Sequence, residues 1–212
     1  MIITDDWTFV HIPRTGGVAF KTAYLNTLGL QQGLHYTSDI YECQNKLRPV
    51  DQGMHDEAPM NTFGSEHALV NHWESWIPEN SQLFAVVRNP YDRFQSMCRR
   101  GYDIAQSDEM RANCIDADYV LGHEGFGCWR PSDTQKSYLD STTKPITVYK
   151  FETQLQSAYE DHGLTFANQV SEPSGNQNNA SQNQTNILTP ENIEKINTHF
   201  HDDFVEFGYT KL

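Results

Sequence analysis

The run Leu83-Phe-Ala-Val-Val87 constrains this chain more than any other segment. Five consecutive apolar residues have the length of one strand and offer no polar position to solvent, so both faces must be covered. Such a strand belongs inside a sheet that carries helices on its two sides. It stops at Arg88-Asn89-Pro90, where a charge, a turn former and a helix-starting proline follow in succession. A helix then reads from Tyr91, Phe94 and Cys98 on one side, with Gly101 as its stop.

The same strand–turn–helix plan occurs twice more. Trp7-Thr-Phe-Val-His-Ile12 is β-rich and ends at Pro13, and Arg14-Thr15-Gly16-Gly17 is too glycine-rich to continue a strand. Phe20, Tyr24 and Leu28 then recur at helical spacing, closed by Gly29. Near the far end, Ile146–Phe151 alternates like a strand and leads into a helix marked by Leu155, Ala158 and Tyr159, with Gly163 at its C-terminal cap. Strands alternating with helices predict an α/β fold with a central, mostly parallel sheet flanked by helices in three layers. Between these units, residues 30–65 read as loops with one short helix, and His67–Trp76 reads as a helix closed by Pro78. A further helix is expected near 103–113, with an irregular stretch through Gly122, Gly125 and Gly127. Residues 168–186 are rich in Asn, Gln and Ser and read as a mobile loop, in which the sequons at Asn179 and Asn183 are coincidental. Thr189-Pro190-Glu191 opens the last helix, whose buried stripe is Ile193, Ile196 and Phe200. With no repeat and no linker, residues 1–212 read as one domain.

The 15 basic and 28 acidic residues leave a formal charge of -13, which argues against a nucleic-acid partner and weakly favours a small or neutral ligand. Cys43, Cys98, Cys114 and Cys128 have no CxxC or zinc-finger spacing and read as reduced thiols, with a Cys114–Cys128 disulfide as the alternative. The opening residues do not form a signal peptide and no stretch reaches 18 apolar residues, so a cytoplasmic protein without a membrane span is expected.

Chemistry is concentrated at the first two turns. Glycines between a strand and a helix let backbone N–H groups approach a phosphate, and Arg14 adds a formal charge; an ordinary tight turn would use the same glycines. Arg88, Arg93, Arg99 and Arg100 fall within thirteen residues of an acidic chain. Arg88 stands at the carboxyl end of the buried strand, where ligands collect in open α/β sheets, and Ser96 on the next helix could share one phosphate with it. Arg93, Arg99 and Arg100 read instead as decoration of a solvated helix face.

These residues carry a resemblance. Phe9-Val-His-Ile-Pro-Arg-Thr-Gly-Gly17 resembles the 5′-phosphosulfate loop of the carbohydrate-type (family 2) sulfotransferases, which use 3′-phosphoadenosine 5′-phosphosulfate (PAPS). Phe84-Ala-Val-Val-Arg-Asn-Pro-Tyr-Asp-Arg-Phe-Gln-Ser96 resembles their 3′-phosphate motif. Weaker echoes follow in the family's order: Gln135-Lys-Ser-Tyr-Leu139, Val148-Tyr-Lys-Phe-Glu152 and Phe200-His-Asp-Asp-Phe-Val-Glu-Phe-Gly-Tyr209. The resemblance implies a P-loop-like fold and transfer of a sulfuryl group from PAPS to an acceptor hydroxyl of a carbohydrate or small molecule. It implies donor binding by Arg14, Thr15, Gly16, Gly17, Val18, Ala19, Arg88 and Ser96, release of adenosine 3′,5′-bisphosphate (PAP), and no metal requirement. His67, in Glu66-His-Ala68, stands where the family carries its general base; His72 is the rival, and His11 reads as a packing or loop-bracing residue. Arg14 replaces the family's usual Lys but keeps a charge for the departing group, which makes it a second catalytic candidate. Val18-Ala19 replaces a Thr-Ser pair, so two phosphate-binding hydroxyls are missing.

Two other functions compete. A P-loop kinase would need GxxxxGK[ST], which is absent. A catalytically inactive PAPS- or PAP-binding module gains weight from Val18-Ala19. For the acceptor, residues 30–65 and 102–146 are expected to shape a pocket, and Trp73, Trp76, Trp129 or Tyr138 could stack on a sugar or ring but read equally as core or rim packing.

Overall fold

A computed structural model describes residues 1–27, 67, 69–123, 131–166 and 187–212. The expected loop at 168–186, Cys43, Cys128, Trp129 and the segment 30–65 lie outside the described residues.

The fold is mixed α/β around an open four-stranded sheet. Strand β1 (Ile2–Ile3) runs antiparallel to β2 (Trp7–Val10), while β2, β3 (Gln82–Val87) and β4 (Ile146–Lys150) are parallel, in spatial order β1-β2-β3-β4. Eight helices are present among the described residues. They are α1 (Gly17–Thr27), α2 (Pro90–Ile104), α3 (Asp108–Asn113), α4 (Ala117–Gly122), α5 (Gln135–Leu139), α6 (Phe151–Glu160), α7 (Pro190–His199) and α8 (His201–Phe207).

Strand alternation divides the apolar residues between two sheet faces. Phe9, Phe84, Val86 and Tyr149 face Phe20 and Tyr24 of α1 and Ala158 and Tyr159 of α6. Val10, Leu83, Ala85 and Val87 face Trp73, Ile77, Tyr138 of α5 and Phe207 of α8. The double burial expected of Leu83–Val87 is present, with every one of those residues buried. Each large side chain so placed contributes about 1.5–3 kcal/mol of transfer free energy. A third cluster joins α2, α4, α7 and α8 through Phe94, Met97, Val120, Ile196, Phe200 and Phe204.

Several expected elements differ in detail. The segment before β3 forms 3-10 turns at Val70–His72 and Glu74–Trp76, not an α-helix. Leu69 at its start has no side-chain acceptor, the Val70 N–H turns to Ser141 Oγ at 2.8 Å, and Trp73 breaks the run at φ -115°. Gly101 does not end α2: it is buried within the helix, which continues to Ile104. Ser107 then caps a separate α3, so the helix expected near 103–113 is the end of one and all of another. The last helix divides at Phe200, whose φ of -99° and ψ of 26° separate α7 from α8. Thr189 caps α7 as expected, accepting from Asn192 N at 3.2 Å. Gly163 adopts φ +69° after α6, and Leu164 N returns to Tyr159 O at 2.9 Å. Cys98 and Cys114 are free and buried. Among the described residues, no helix is long and apolar enough to cross a membrane.

Candidate functional site

Because β2, β3 and β4 are parallel, their carboxyl ends open on one edge of the sheet. Three segments meet there: the turn 11–17 after β2, Arg88-Asn89 after β3, and Phe151 after β4.

The first turn is held in a constrained shape. Arg14 adopts φ +68°, a left-handed conformation that costs a non-glycine residue roughly 1–2 kcal/mol and persists only where neighbours enforce it. Those neighbours are two arginines of the second motif. Arg93 donates from Nε to Pro13 O at 3.1 Å, and Arg88 donates from Nη1 to Arg14 O at 3.4 Å. The Arg14 guanidinium itself straddles Ser96, with Nε and Nη2 donating to Oγ at 3.0 and 2.8 Å. The hydroxyl expected to work beside Arg88 is therefore engaged by the arginine of the first turn. Arg93 and Ser96 stand one helical turn apart on α2, which is why both reach the segment 13–14.

Arg93 overturns its expected place on a solvated face. It is fully buried, donates also from Nη2 to Asp133 O at 2.9 Å, and lies over the Phe200 ring at 5.4 Å. Its Nη1 is buried without a hydrogen-bond partner, and desolvation lowers the guanidinium pKa from its ordinary value. Arg99 and Arg100 are exposed, as expected.

Both glycines of the turn have packing reasons. Gly16 sits at φ +93°, and a Cβ there would lie 2.8 Å from Phe151 Cε2. A Cβ on Gly17 would lie 1.9 Å from His11 Nε2. Thr15 is buried and its hydroxyl donates to Ile12 O at 2.9 Å, which leaves its backbone N–H for any ligand contact. Val18 is exposed and Ala19 half-buried at the start of α1.

His67 joins this edge through His11. The two rings lie 4.2 Å apart, and His67 Nδ1 is 3.3 Å from His11 O. A carbonyl only accepts, so this bond puts the proton on Nδ1 and the basic lone pair of the neutral ring on Nε2. His11 is buried and stacks on Phe9 at 5.6 Å, the packing role expected of it. The backbone of His72 lies in the first 3-10 turn.

Residues beyond the two motifs build the Arg88 turn. Its guanidinium lies 4.6 Å from the centre of the Phe151 ring, which also fills the space beside Gly16. Gln135 pairs with the Arg88 backbone, Glu152 accepts from Asn89 N at 2.6 Å, and Tyr209 donates to Glu152 Oε2 at 2.8 Å. Burial and the Glu152 carboxylate raise the Tyr209 pKa, which keeps it a neutral donor. The three weaker sequence echoes thus converge on one turn. Of the residues that read either as acceptor-stacking or as packing, Trp73 and Tyr138 are buried in the core on one face of the sheet.

The arrangement concentrates Arg14, Arg88 and Arg93 about one turn of an otherwise acidic chain, beside a histidine with a basic ring nitrogen. Comparisons with family models, curated proteins and solved structures find no match for the chain.

Proposed function

We propose that this chain is a sulfotransferase that moves a sulfuryl group from PAPS to an acceptor hydroxyl on a carbohydrate or small molecule, within a P-loop-like fold. The observation that carries the proposal is the convergence of the two phosphate-type motifs: Arg14 on Ser96, and Arg88 on the carbonyl of Arg14. Arginine forks suit multiply charged phosphate and sulfate oxygens, which accept charge-assisted bonds. In this reading the 14–19 segment holds the 5′-phosphosulfate, and Arg88 with Ser96 holds the 3′-phosphate. His67 Nε2 takes the proton as the acceptor oxygen bonds to sulfur. The bridging S–O bond breaks with its electron pair going to the 5′-phosphate of PAP, and Arg14 offsets the charge that develops there.

The test is transfer of labelled sulfate from PAPS to a panel of sugars, lipids and phenols, with Arg88→Ala and His67→Ala beside the wild type. Arg88→Ala should lose PAP binding, and His67→Ala should keep it while losing turnover. Unchanged PAP affinity in Arg88→Ala would sink the site assignment, and surviving turnover in His67→Ala would move the base, with His72 next to test. The replacement of the Thr-Ser pair by Val18-Ala19 favours a second reading, an inactive PAP-binding module. Donor binding without transfer to any acceptor would select it.

A further inference from the structure

Arg88 lies one residue beyond the last ladder pair of β3, Val87 with Lys150, so the sheet no longer fixes its backbone. Gln135 takes over that task. Arg88 N donates to Gln135 Oε1 at 2.8 Å, and Gln135 Nε2 donates to Arg88 O at 2.9 Å. A side-chain amide offers one acceptor and one donor side by side, so it pairs with a single residue as an adjoining strand would.

Gln135 is itself fixed. It is fully buried, and its backbone N–H donates to Asp203 Oδ2 at 2.9 Å. Its Nε2 also faces Asp203 Oδ2 at 3.4 Å. Two acceptors around Nε2 and one donor at Oε1 define which way the amide points. Asp203, also fully buried, accepts from Lys136 N at 2.8 Å as well, so α8 is tied to α5 at this point. The next residue, Asn89, is held by Glu152, and Tyr209 holds Glu152 and faces Val87 O at 3.5 Å. Two independent braces therefore grip consecutive residues of one turn.

We infer that Gln135, oriented by Asp203 and assisted by the Glu152–Tyr209 pair, is the positioning residue that aims Arg88 and so sets selectivity for a 3′-phosphorylated nucleotide. The inference rests on the sulfotransferase reading, in which Arg88 meets the 3′-phosphate. It assigns to Gln135 no contact with the nucleotide.

The experiment is titration of the wild-type protein, Gln135→Met and Tyr209→Phe with PAP and with adenosine 5′-monophosphate. The readout is the ratio of the two affinities. Methionine keeps the length of Gln135 but pairs neither backbone group, so Arg88 loses its aim and the ratio should fall about tenfold, or about 1.4 kcal/mol. Tyr209→Phe removes only a hydroxyl at a half-buried position and should lower the ratio about threefold; it carries the test if Gln135→Met does not fold. A merely structural role would weaken both nucleotides alike, so an unchanged ratio overturns the inference while the sulfotransferase reading stands. A wild-type protein that does not prefer PAP overturns that reading first.

Discussion

Gly17→Ala is a small change with a large steric consequence. The added Cβ would lie 1.9 Å from His11 Nε2 and 2.0 Å from Cδ2, so the ring must retreat by roughly 1.5 Å to reach ordinary contact. It has little room, because it is buried between Phe9 at 5.6 Å and His67 at 4.2 Å. Overpacking of this kind costs about 1–3 kcal/mol, and the preference of a helix for alanine over glycine returns roughly 0.5–1 kcal/mol. Gly17 has an ordinary negative φ, so no backbone strain is added. The net cost should be about 0–2.5 kcal/mol, which for a chain of this size lowers Tm by up to about 10 °C. His11→Ala removes the obstacle. In that background Gly17→Ala should be neutral or slightly stabilising, which gives a coupling of about 1–3 kcal/mol across the double-mutant cycle. Thermal unfolding of the four proteins, followed by circular dichroism, measures it. Equal destabilisation by Gly17→Ala in both backgrounds would refute the claim that His11 imposes the glycine.

Two further expectations follow from buried groups. Arg93→Ala should cost roughly 3–5 kcal/mol in chemical denaturation, because it opens a cavity and strands the carbonyls of Pro13 and Asp133. Arg93→Lys should recover little, since one ammonium does not reproduce the fork, and a loss below about 1 kcal/mol in Arg93→Ala would contradict the brace. His162 stacks on Phe84 at 3.6 Å and its Nδ1 faces Ala158 O at 2.7 Å; burial lowers its pKa. The unfolded chain then binds a proton that the folded one resists, so stability is full above about pH 6.5 and declines as pH falls below it. His162→Asn should flatten that acid limb in a Tm-versus-pH series; an unchanged limb would locate the titration elsewhere.

Local patterns made much of this molecule readable from its sequence. Leu83–Val87 was legible because five apolar residues admit only a doubly covered strand, and Thr189-Pro190 because capping is a local matter. Arg93 was not legible, since a charge on a helix reads as solvated unless its partners are known. One of those partners, Pro13 O, comes from 80 residues away. Gly101 misled in another way: it is a buried residue inside α2, not the stop that a glycine near a helix end reads as. Of the candidate site, Arg14 and Arg88 could be placed by their positions after strands, and Ser96 by its place on the helix that follows. Gln135, Glu152, Phe151 and Tyr209 could not be assigned tasks, because each acts on backbone that only the tertiary fold brings near.

On the sulfotransferase reading, the arginine-lined edge binds a nucleotide phosphorylated at both the 3′ and the 5′ position of its ribose. Calorimetric titration of the wild-type protein with PAP and with ATP tests it most directly. Tighter binding of PAP, lost on Arg88→Ala, is the predicted result. Tighter binding of ATP, or no binding of PAP, would contradict the account.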